Sequence, residues 1–338
     1  MSRRWPTVAA DWRRAVTHRR ARSAFRQKHH RRMNCRFDKA FDRPPKRPMR
    51  SVQSKSGYNV ATFGFGERVV LVNGIFQTGA SWAPFARGLA GQFRVTSFDF
   101  PNQGTAPSDP TMRHRDDYCS AVLNVFERLG LRTEDTICVG WSFGANLLTR
   151  LVQQHGISFK ALFLITPAPL GHEAYMREIF IGQSDAFERA GAFGVAQAFI
   201  PRIFSPAFVD SHPGITRTLV AQFASSYARR LGALEALLAA SEPAEPSVHL
   251  DTPLTGLSAW IVEAEDELLL PPRSLAHTAR QLGASYILAR GGHACVLEQP
   301  EPLSKAFIDA VAGMERVATC MEPHVPSAGN GPGSEVRA

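Results

Sequence analysis

The chain has 338 residues, of which 44% are hydrophobic, so it can bury the core of one large domain or two average ones. No run of about 18 consecutive apolar residues occurs, which argues against a transmembrane span. The five cysteines are scattered without C-x-x-C spacing, which predicts neither a zinc site nor a disulfide framework. That usage favours a reducing compartment, and we expect a cytoplasmic protein.

The positive charge is concentrated at the amino terminus. The whole chain has a formal net charge of +9, yet residues 1–50 alone contain 17 Lys and Arg against three Asp. The rest of the chain is therefore net acidic. Residues 1–50 lack hydrophobic periodicity, which predicts a disordered basic tail. A nucleic-acid or anionic-membrane arm, an organellar targeting peptide and sequence upstream of a start at Met49 stay open, so no firm nucleic-acid or membrane partner is predicted.

Strand and helix signals alternate along much of the chain. Short apolar runs predict strands at 58–65, 68–73, 93–98, 136–140, 160–166, 259–264 and 285–288. Helical spacing predicts helices at 81–89, 116–129, 143–154, 272–282 and 303–311. This alternation is typical of an α/β protein with a mostly parallel sheet and helices on both faces.

The alternation is interrupted between residues 167 and 250, where helical runs at 186–199 and 215–238 replace strands. We predict a helical lid inserted after the sixth strand, between core segments 51–166 and 251–315, and a disordered Pro-, Gly- and Ser-rich tail at 316–338. Most apolar lid residues should belong to the core, and some should form a pocket for an apolar acyl chain. These residues are Phe180, Ile181, Phe187, Phe193, Phe199, Ile200, Phe204 and Phe223.

A G-x-S-x-G sequence lies between a predicted strand and a predicted helix. It reads Gly140-Trp141-Ser142-Phe143-Gly144. A nucleophilic serine on a tight strand-to-helix turn projects its hydroxyl clear of the sheet, and side chains two residues before and after it would collide. The following helix also directs its amino-terminal N–H groups towards the site. The alternative is an ordinary turn in which Ser142 caps the helix.

A second loop can provide hydrogen-bond donors for an oxyanion. Asn73-Gly74-Ile75 follows the strand at 68–73, and Gly74 would permit a close backbone approach. The tetrahedral intermediate of acyl transfer needs two backbone N–H donors, which we predict at Ile75 and Phe143. A plain Asn-Gly turn is the alternative.

An acid and a base follow the last two predicted strands. Among the acids between Glu263 and Glu267 we choose Asp266, because it precedes the turn into the next helix, and we expect Glu265 and Glu267 to be solvated. Two glycines precede His293 and could bring it back over the edge of the sheet. The order of Ser142, Asp266 and His293 along the chain is the order that the hydrolase triad uses in α/β sheets.

Three segments carry a family resemblance. They are Leu71-Val72-Asn73-Gly74, Phe98-Asp99-Phe100-Pro101-Asn102-Gln103-Gly104 and Asp266-Glu267. From about residue 51 to 315 the chain resembles α/β-hydrolases, and among them it is most similar to rhamnolipid-precursor synthases and 3-hydroxyacyl carrier-protein transacylases. The resemblance implies an α/β-hydrolase fold and a triad of Ser142, Asp266 and His293.

The expected function is acyl hydrolysis or acyl transfer through a covalent acyl-enzyme, without a metal or other cofactor. The resemblance implies a small-molecule acyl substrate with an apolar chain, including a 3-hydroxyacyl thioester of coenzyme A or of a carrier protein. A general carboxylesterase or thioesterase is an alternative. A non-catalytic binding protein of the same fold is an alternative of another class.

Overall fold

In a computed structural model of the protein, residues 50–53, 58–242 and 252–321 are described, with the backbone alone for 50–53 and 315–321. The predicted basic tail therefore lies outside the described residues apart from Arg50, as do residues 243–251 and 322–338. No helix in the described segments is both long enough and apolar enough to cross a bilayer.

Eight strands form one sheet. They are β1 (Arg50–Gln53), β2 (Asn59–Gly64), β3 (Glu67–Val72), β4 (Phe93–Phe98), β5 (Ile137–Trp141), β6 (Ala161–Ile165), β7 (Ser258–Ala264) and β8 (Ser285–Ala289). Their order across the sheet is β1-β2-β4-β3-β5-β6-β7-β8. The β1–β2 and β2–β4 pairs are antiparallel and every other neighbouring pair is parallel. The predicted α/β class with a mostly parallel sheet is confirmed.

Helices pack against the sheet, and several lie between β6 and β7 in the described part of the chain. They are α1 (Ala83–Leu89), α2 (Arg115–Leu129), α3 (Phe143–His155), α4 (Glu173–Ile203), α5 (Pro206–Ser211), α6 (Ile215–Tyr227), α7 (Leu231–Ser241), α8 (Ser274–Leu282), α9 (Cys295–Glu298) and α10 (Pro300–Met321). Short 3₁₀ turns occur at Gly79–Trp82 and Thr133–Asp135.

The central strands are buried on both faces. Every residue of β5 and β6 is buried, which explains why both read as continuous apolar runs rather than as alternating ones. Because β3 and β5 to β8 run parallel, the loops that follow them meet at one edge of the sheet. The predicted residues Ile75, Ser142, Asp266 and His293 lie in these loops, whereas Gly140 is in β5 and Phe143 and Gly144 begin α3.

The helical segment falls where the sequence predicted it, after the sixth strand. Helices α4 to α7 occupy Glu173 to Ser241, and we call this segment the insertion. Helix α4 begins well before the predicted start at residue 186 and is kinked at Ala190–Gly191, where the backbone leaves helical geometry. Helix α10 continues to Met321, six residues into the predicted tail.

Candidate active site

Ser142 occupies a strained turn between β5 and α3. Its φ of 53° and ψ of −111° lie outside the regions that non-glycine residues usually adopt. A Cβ at Gly144 would lie 2.2 Å from the carbonyl oxygen of Val72, and a Cβ at Gly140 would lie 2.6 Å from the backbone of Ala145. Both glycines are therefore required by the close packing of this turn.

His293 lies in the loop between β8 and α9 and reaches the serine. Its Nε2 is 2.9 Å from the Ser142 Oγ. The Trp141 indole Nε1 donates a hydrogen bond of 2.9 Å to the His293 carbonyl oxygen, which holds the loop beside β5. A Cβ at Gly292 would lie 2.6 Å from the backbone nitrogen of Ser205, so this glycine lets the loop pack against the insertion.

The carboxylate bound to His293 belongs to Glu267. The Glu267 Oε2 is 2.9 Å from the His293 Nδ1, and the two side chains are only 3% and 2% exposed. The expectation that Asp266 would partner the imidazole is wrong, because Asp266 is exposed. The backbone N–H groups of Glu265 and Asp266 still donate to Ala289 and Gly291, so the chain turns inward only at Glu267.

The surroundings of Glu267 favour its ionised form. Burial alone would raise the pKa of this carboxyl, but the charge and hydrogen bond of His293, together with two backbone hydrogen bonds, lower it by more. The backbone N–H groups of Leu269 and Leu270 also donate to Oε1, at 2.7 and 3.2 Å. The pKa of Glu267 is therefore lowered, and the residue carries a negative charge beside the imidazole at neutral pH.

The two predicted oxyanion donors belong to residues that line the same cavity as the serine. Ile75 and Phe143 both line the cavity that contains Ser142 and His293. Neither backbone N–H donates to a protein acceptor within the part of the chain that is described. A Cβ at Gly74 would lie 3.2 Å from the Trp141 carbonyl oxygen, so the two loops are in close contact.

Asn73 supports this loop and does not face the cavity. It is fully buried, and its Nδ2 donates to the Phe98 carbonyl oxygen at 2.7 Å. Its Oδ1 accepts a 2.8 Å bond from the Trp82 indole. The side chain therefore connects the ends of β3 and β4 to the start of α1.

Sequence reasoning did not identify two contacts that join the insertion to the site. The Phe76 ring packs edge-on against Phe199 and Phe223, with centroids 5.5 and 5.2 Å apart. The Glu298 carboxylate accepts the N–H groups of Ser205 and Gly292, at 2.9 and 3.0 Å. The first contact fixes the loop that carries Ile75, and the second fixes the loop that carries His293.

A cavity of about 390 Å³ opens beside Ser142 and extends beneath the insertion. Phe180 and Phe199, which the sequence predicted as pocket candidates, line it, whereas Ile181 and Phe193 are exposed to solvent. Further apolar lining comes from Leu164, Met176, Ile179 and Leu270. The cavity therefore suits an apolar chain attached to a group that reacts at the serine.

One group of possible metal ligands occurs among the described residues. Asp116, Cys119 and His155 hold ligand atoms within 4.8 Å of one another. The Asp116 carboxylate is already hydrogen-bonded to Arg150 and His155, and burial raises the pKa of the Cys119 thiol to about 12. A neutral thiol and an occupied carboxylate fit a metal ion poorly.

A strained serine at a strand-to-helix turn, followed along the sheet edge by a carboxylate and a histidine, is the arrangement of an α/β-hydrolase. Comparison with known proteins agrees. The model of the alpha/beta hydrolase family matches residues 69–306. The chain belongs to the alpha/beta hydrolase family and is an enzyme of that type.

Several characterised and solved proteins are similar to the chain at low identity. A protein of Escherichia coli O157:H7 named "Putative carbamate hydrolase RutD" is 26% identical over 254 residues, which are 73% of this chain and 91% of that protein. The enol-lactonase of Burkholderia xenovorans LB400 superposes with a TM-score of 0.64 at 18% identity, covering 78% of this chain and 99% of the other. An esterase of Thermogutta terrifontis gives 0.64 at 19%, covering 78% and 97%. At such identities the solved structures show the fold alone.

Proposed function

We propose that the protein hydrolyses an ester or thioester, or transfers its acyl group, through an acyl-enzyme on Ser142. The observation that carries the proposal is the chain of two 2.9 Å contacts from the serine hydroxyl through His293 to Glu267. A nucleophile, a base and an orienting acid in hydrogen-bond contact are the signature of an activated serine.

The proposed reaction begins with a proton transfer. With its Nδ1–H donating to Glu267, the imidazole accepts the Ser142 proton at Nε2 as Oγ attacks the substrate carbonyl carbon. The Ile75 and Phe143 N–H groups stabilise the resulting oxyanion. His293 returns the proton to the leaving alcohol or thiol, which departs as the acyl-enzyme forms. His293 then deprotonates water or an acceptor hydroxyl as its oxygen attacks the acyl carbonyl carbon. The bond from that carbon to the Ser142 Oγ breaks, and His293 returns the proton to Oγ, which restores the serine.

The cavity supports an acyl chain as the part of the substrate that is recognised. Its lining is mostly apolar, and burial of methylene groups stabilises a bound chain by about 0.8 kcal/mol each. The similarity to a carbamate hydrolase, an enol-lactonase and an esterase is compatible with attack on an acyl carbonyl, while it leaves the acyl group open.

One buried side chain favours a 3-hydroxyacyl substrate over a plain acyl substrate. Gln183 lines the cavity from α4 and is 4% exposed, and its Oε1 has no hydrogen-bond partner in the described chain. A buried carbonyl oxygen without a donor is unfavourable, and a substrate hydroxyl would supply one. Because a 3-hydroxyl group would satisfy Gln183, we propose more specifically that the protein hydrolyses or transfers 3-hydroxyacyl chains.

Labelling with a fluorophosphonate probe tests the proposed nucleophile. The native protein should be labelled stoichiometrically, and Ser142→Ala should lose both labelling and about 10⁴-fold or more of its esterase activity. Ser225→Ala, at an exposed serine of α6, is the matched control and should be labelled like the native protein. Labelling that persists in Ser142→Ala, or no labelling of the folded native protein, would favour the non-catalytic binding protein.

Product analysis separates hydrolysis from transfer. The protein is incubated with acyl and 3-hydroxyacyl thioesters of coenzyme A and of a carrier protein, and the products are measured by mass spectrometry. Free acids indicate hydrolysis, and esters between two hydroxyacyl chains indicate transfer to a hydroxyl acceptor. Turnover of simple 4-nitrophenyl esters without thioester turnover would indicate a general carboxylesterase.

A further inference from the structure

The cavity beside Ser142 also contains two arginines. Arg115, the first residue of α2, and Arg150, late in α3, both line it. Asn146 and Arg150 are four residues apart and lie on one face of α3, and Ser142 directly precedes this helix. Ser142 and Arg150 are separated by about 12 Å along the helix axis. The backbone of Arg150 is therefore well removed along α3 from the serine at which the carbonyl would react.

The positive charges of this pair exceed the negative charges around it. Arg150 donates from Nε and Nη2 to the two carboxylate oxygens of Asp116, at 2.6 and 2.9 Å. Arg115 donates from Nη2 to the Ser241 carbonyl oxygen at 2.9 Å and forms no ion pair within the described residues. Burial, together with the charge of Arg150, lowers the pKa of Arg115 to about 10, so the residue is still charged at neutral pH.

The two arginines also have more N–H donors than the surrounding described residues provide acceptors for. The Arg115 Nε and the Arg150 Nη1 are buried and have no acceptor in the described part of the chain. Glu173 lines the same cavity, but it accepts the N–H of Gly171 and forms no ion pair with either arginine among the described side chains. A buried positive charge without a counter-charge is unfavourable, and an anionic ligand would compensate it.

We propose that the acyl chain of the substrate ends in a carboxylate, which binds to Arg115 and Arg150. The inference rests on the proposed acyl-enzyme function and adds the class of acyl group. The two arginines and the Asp116 carboxylate together leave one positive charge to be balanced, which a carboxylate matches and a doubly charged phosphate exceeds. The planar guanidinium of Arg115 also matches the two oxygens of a carboxylate.

The substrate is then a half-ester or half-thioester of an aliphatic dicarboxylic acid. Its reacting carbonyl lies at Ser142, its methylene chain lies against the apolar lining, and its free carboxylate lies at the arginine pair. The separation along α3 selects for chains of intermediate length, because a short chain cannot reach both ends of the cavity.

Paired substrates test the inference. The 4-nitrophenyl half-esters of hexanedioic, octanedioic and decanedioic acids are compared with the same compounds carrying a methyl ester at the distal carboxyl. The native protein should prefer at least one half-ester to its methylated partner. Arg115→Gln should lower the ratio of the two kcat/KM values by about tenfold to a hundredfold, mainly through KM, because a charge-assisted hydrogen bond is lost.

The controls separate this inference from the proposed function. Arg113→Gln removes an exposed guanidinium that pairs with Glu235, and it should leave the ratio unchanged. Hydrolysis of the methylated esters that disappears in Ser142→Ala supports the acyl-enzyme function by itself. If that hydrolysis is present but the native protein prefers the methylated esters, or Arg115→Gln keeps the native ratio, the carboxylate site is refuted.

A binding measurement gives a second test that does not depend on turnover. Octanedioate should raise the midpoint of thermal unfolding of the native protein, since it binds the folded state alone. Octanedioic acid dimethyl ester, which lacks the charges, should give a smaller shift. Equal shifts for the two compounds, or none for octanedioate over a millimolar range, would overturn the inference whatever the folding of Arg115→Gln.

Discussion

Replacing the Glu267 carboxylate with an amide of the same shape should abolish most of the activity. The imidazole becomes positively charged when it takes the serine proton, and Glu267 stabilises that charge across a 2.9 Å contact. For charge centres about 4 Å apart at an effective dielectric constant of about 20, the attraction is about 4 kcal/mol. Its loss from the transition state corresponds to about a 10³-fold fall in kcat.

The amide adds a second effect on the imidazole. In Glu267→Gln the new side chain can donate its NH₂ to Nδ1, which would leave the proton on Nε2 and prevent that nitrogen from accepting the Ser142 proton. The expected loss in this variant is therefore about 10³- to 10⁴-fold in kcat. Steady-state hydrolysis of a 4-nitrophenyl ester measures it, and denaturation by urea checks that the variant is folded.

The neighbouring acid supplies the matched control. Asp266→Asn also replaces a carboxylate with an amide, but at an exposed position, where substitutions change stability by about 0.5 kcal/mol or less. Its kcat should stay within about twofold of the native value. Comparable losses in both variants, or a near-native kcat in folded Glu267→Gln, would refute the assignment of Glu267 as the acid.

Three further predictions concern the elbow, the cavity and pH. Gly144→Ala should lower the free energy of unfolding by about 1–3 kcal/mol in urea titrations, because its Cβ would collide with the Val72 carbonyl oxygen. The control Gly182→Ala, in open space on α4, should raise or preserve the free energy of unfolding. Gln183→Leu should lower the preference for 3-hydroxyacyl over plain acyl thioesters by about tenfold, and an unchanged preference would contradict the proposed hydroxyl contact. Folding lowers the pKa of Glu267, so its ionised carboxylate stabilises the folded state. This contribution to the free energy of unfolding is complete above the carboxyl pKa of about 4.3 in the unfolded chain. It is lost as pH falls through the lower pKa of the folded state. The difference in unfolding free energy between native protein and Glu267→Gln should shrink over that acid range, and a constant difference would contradict it.

The sheet could be predicted from the sequence because its central strands are buried on both faces. The run at Phe93–Phe98 was predicted with the bounds that the structure has, and β5 and β6 differ from their predictions by one residue at either end. Apolar runs of about five to seven residues favour strands because strands are commonly that short, whereas helices are longer. The serine turn could also be predicted, because close backbone packing there requires the two glycines of the G-x-S-x-G sequence.

The insertion was harder to predict because tertiary contacts set its helix boundaries. One helix was predicted from 215 to 238, but the structure has α6 and α7 with a break between Tyr227 and Leu231. In that break Arg230 donates to the carbonyl oxygens of Gly104 and Ala106, in the loop after β4. A bond to a residue more than a hundred positions away leaves no local sequence signal.

The choice of acid failed for a related reason. Asp266 and Glu267 are equally acidic in the sequence, and Asp266 was chosen because it precedes the turn into the next helix, while Glu267 was expected to be solvated. The structure selects Glu267 because the backbone of Asp266 remains hydrogen-bonded to Gly291, which postpones the inward turn by one residue. The position of one backbone hydrogen bond, rather than residue type, determines which side chain reaches His293.

Contacts between distant parts of the chain also join the insertion to the two loops that carry His293 and Ile75. One carboxylate, that of Glu298, accepts hydrogen bonds from Gly292, next to His293, and from Ser205, between α4 and α5. Phe76 joins the loop of the proposed oxyanion donor Ile75 to aromatic rings of α4 and α6. Because both loops contact the insertion, a movement that uncovered the cavity would also disturb the histidine and the oxyanion donor. The contacts that enclose the cavity therefore also hold the proposed reacting groups in position.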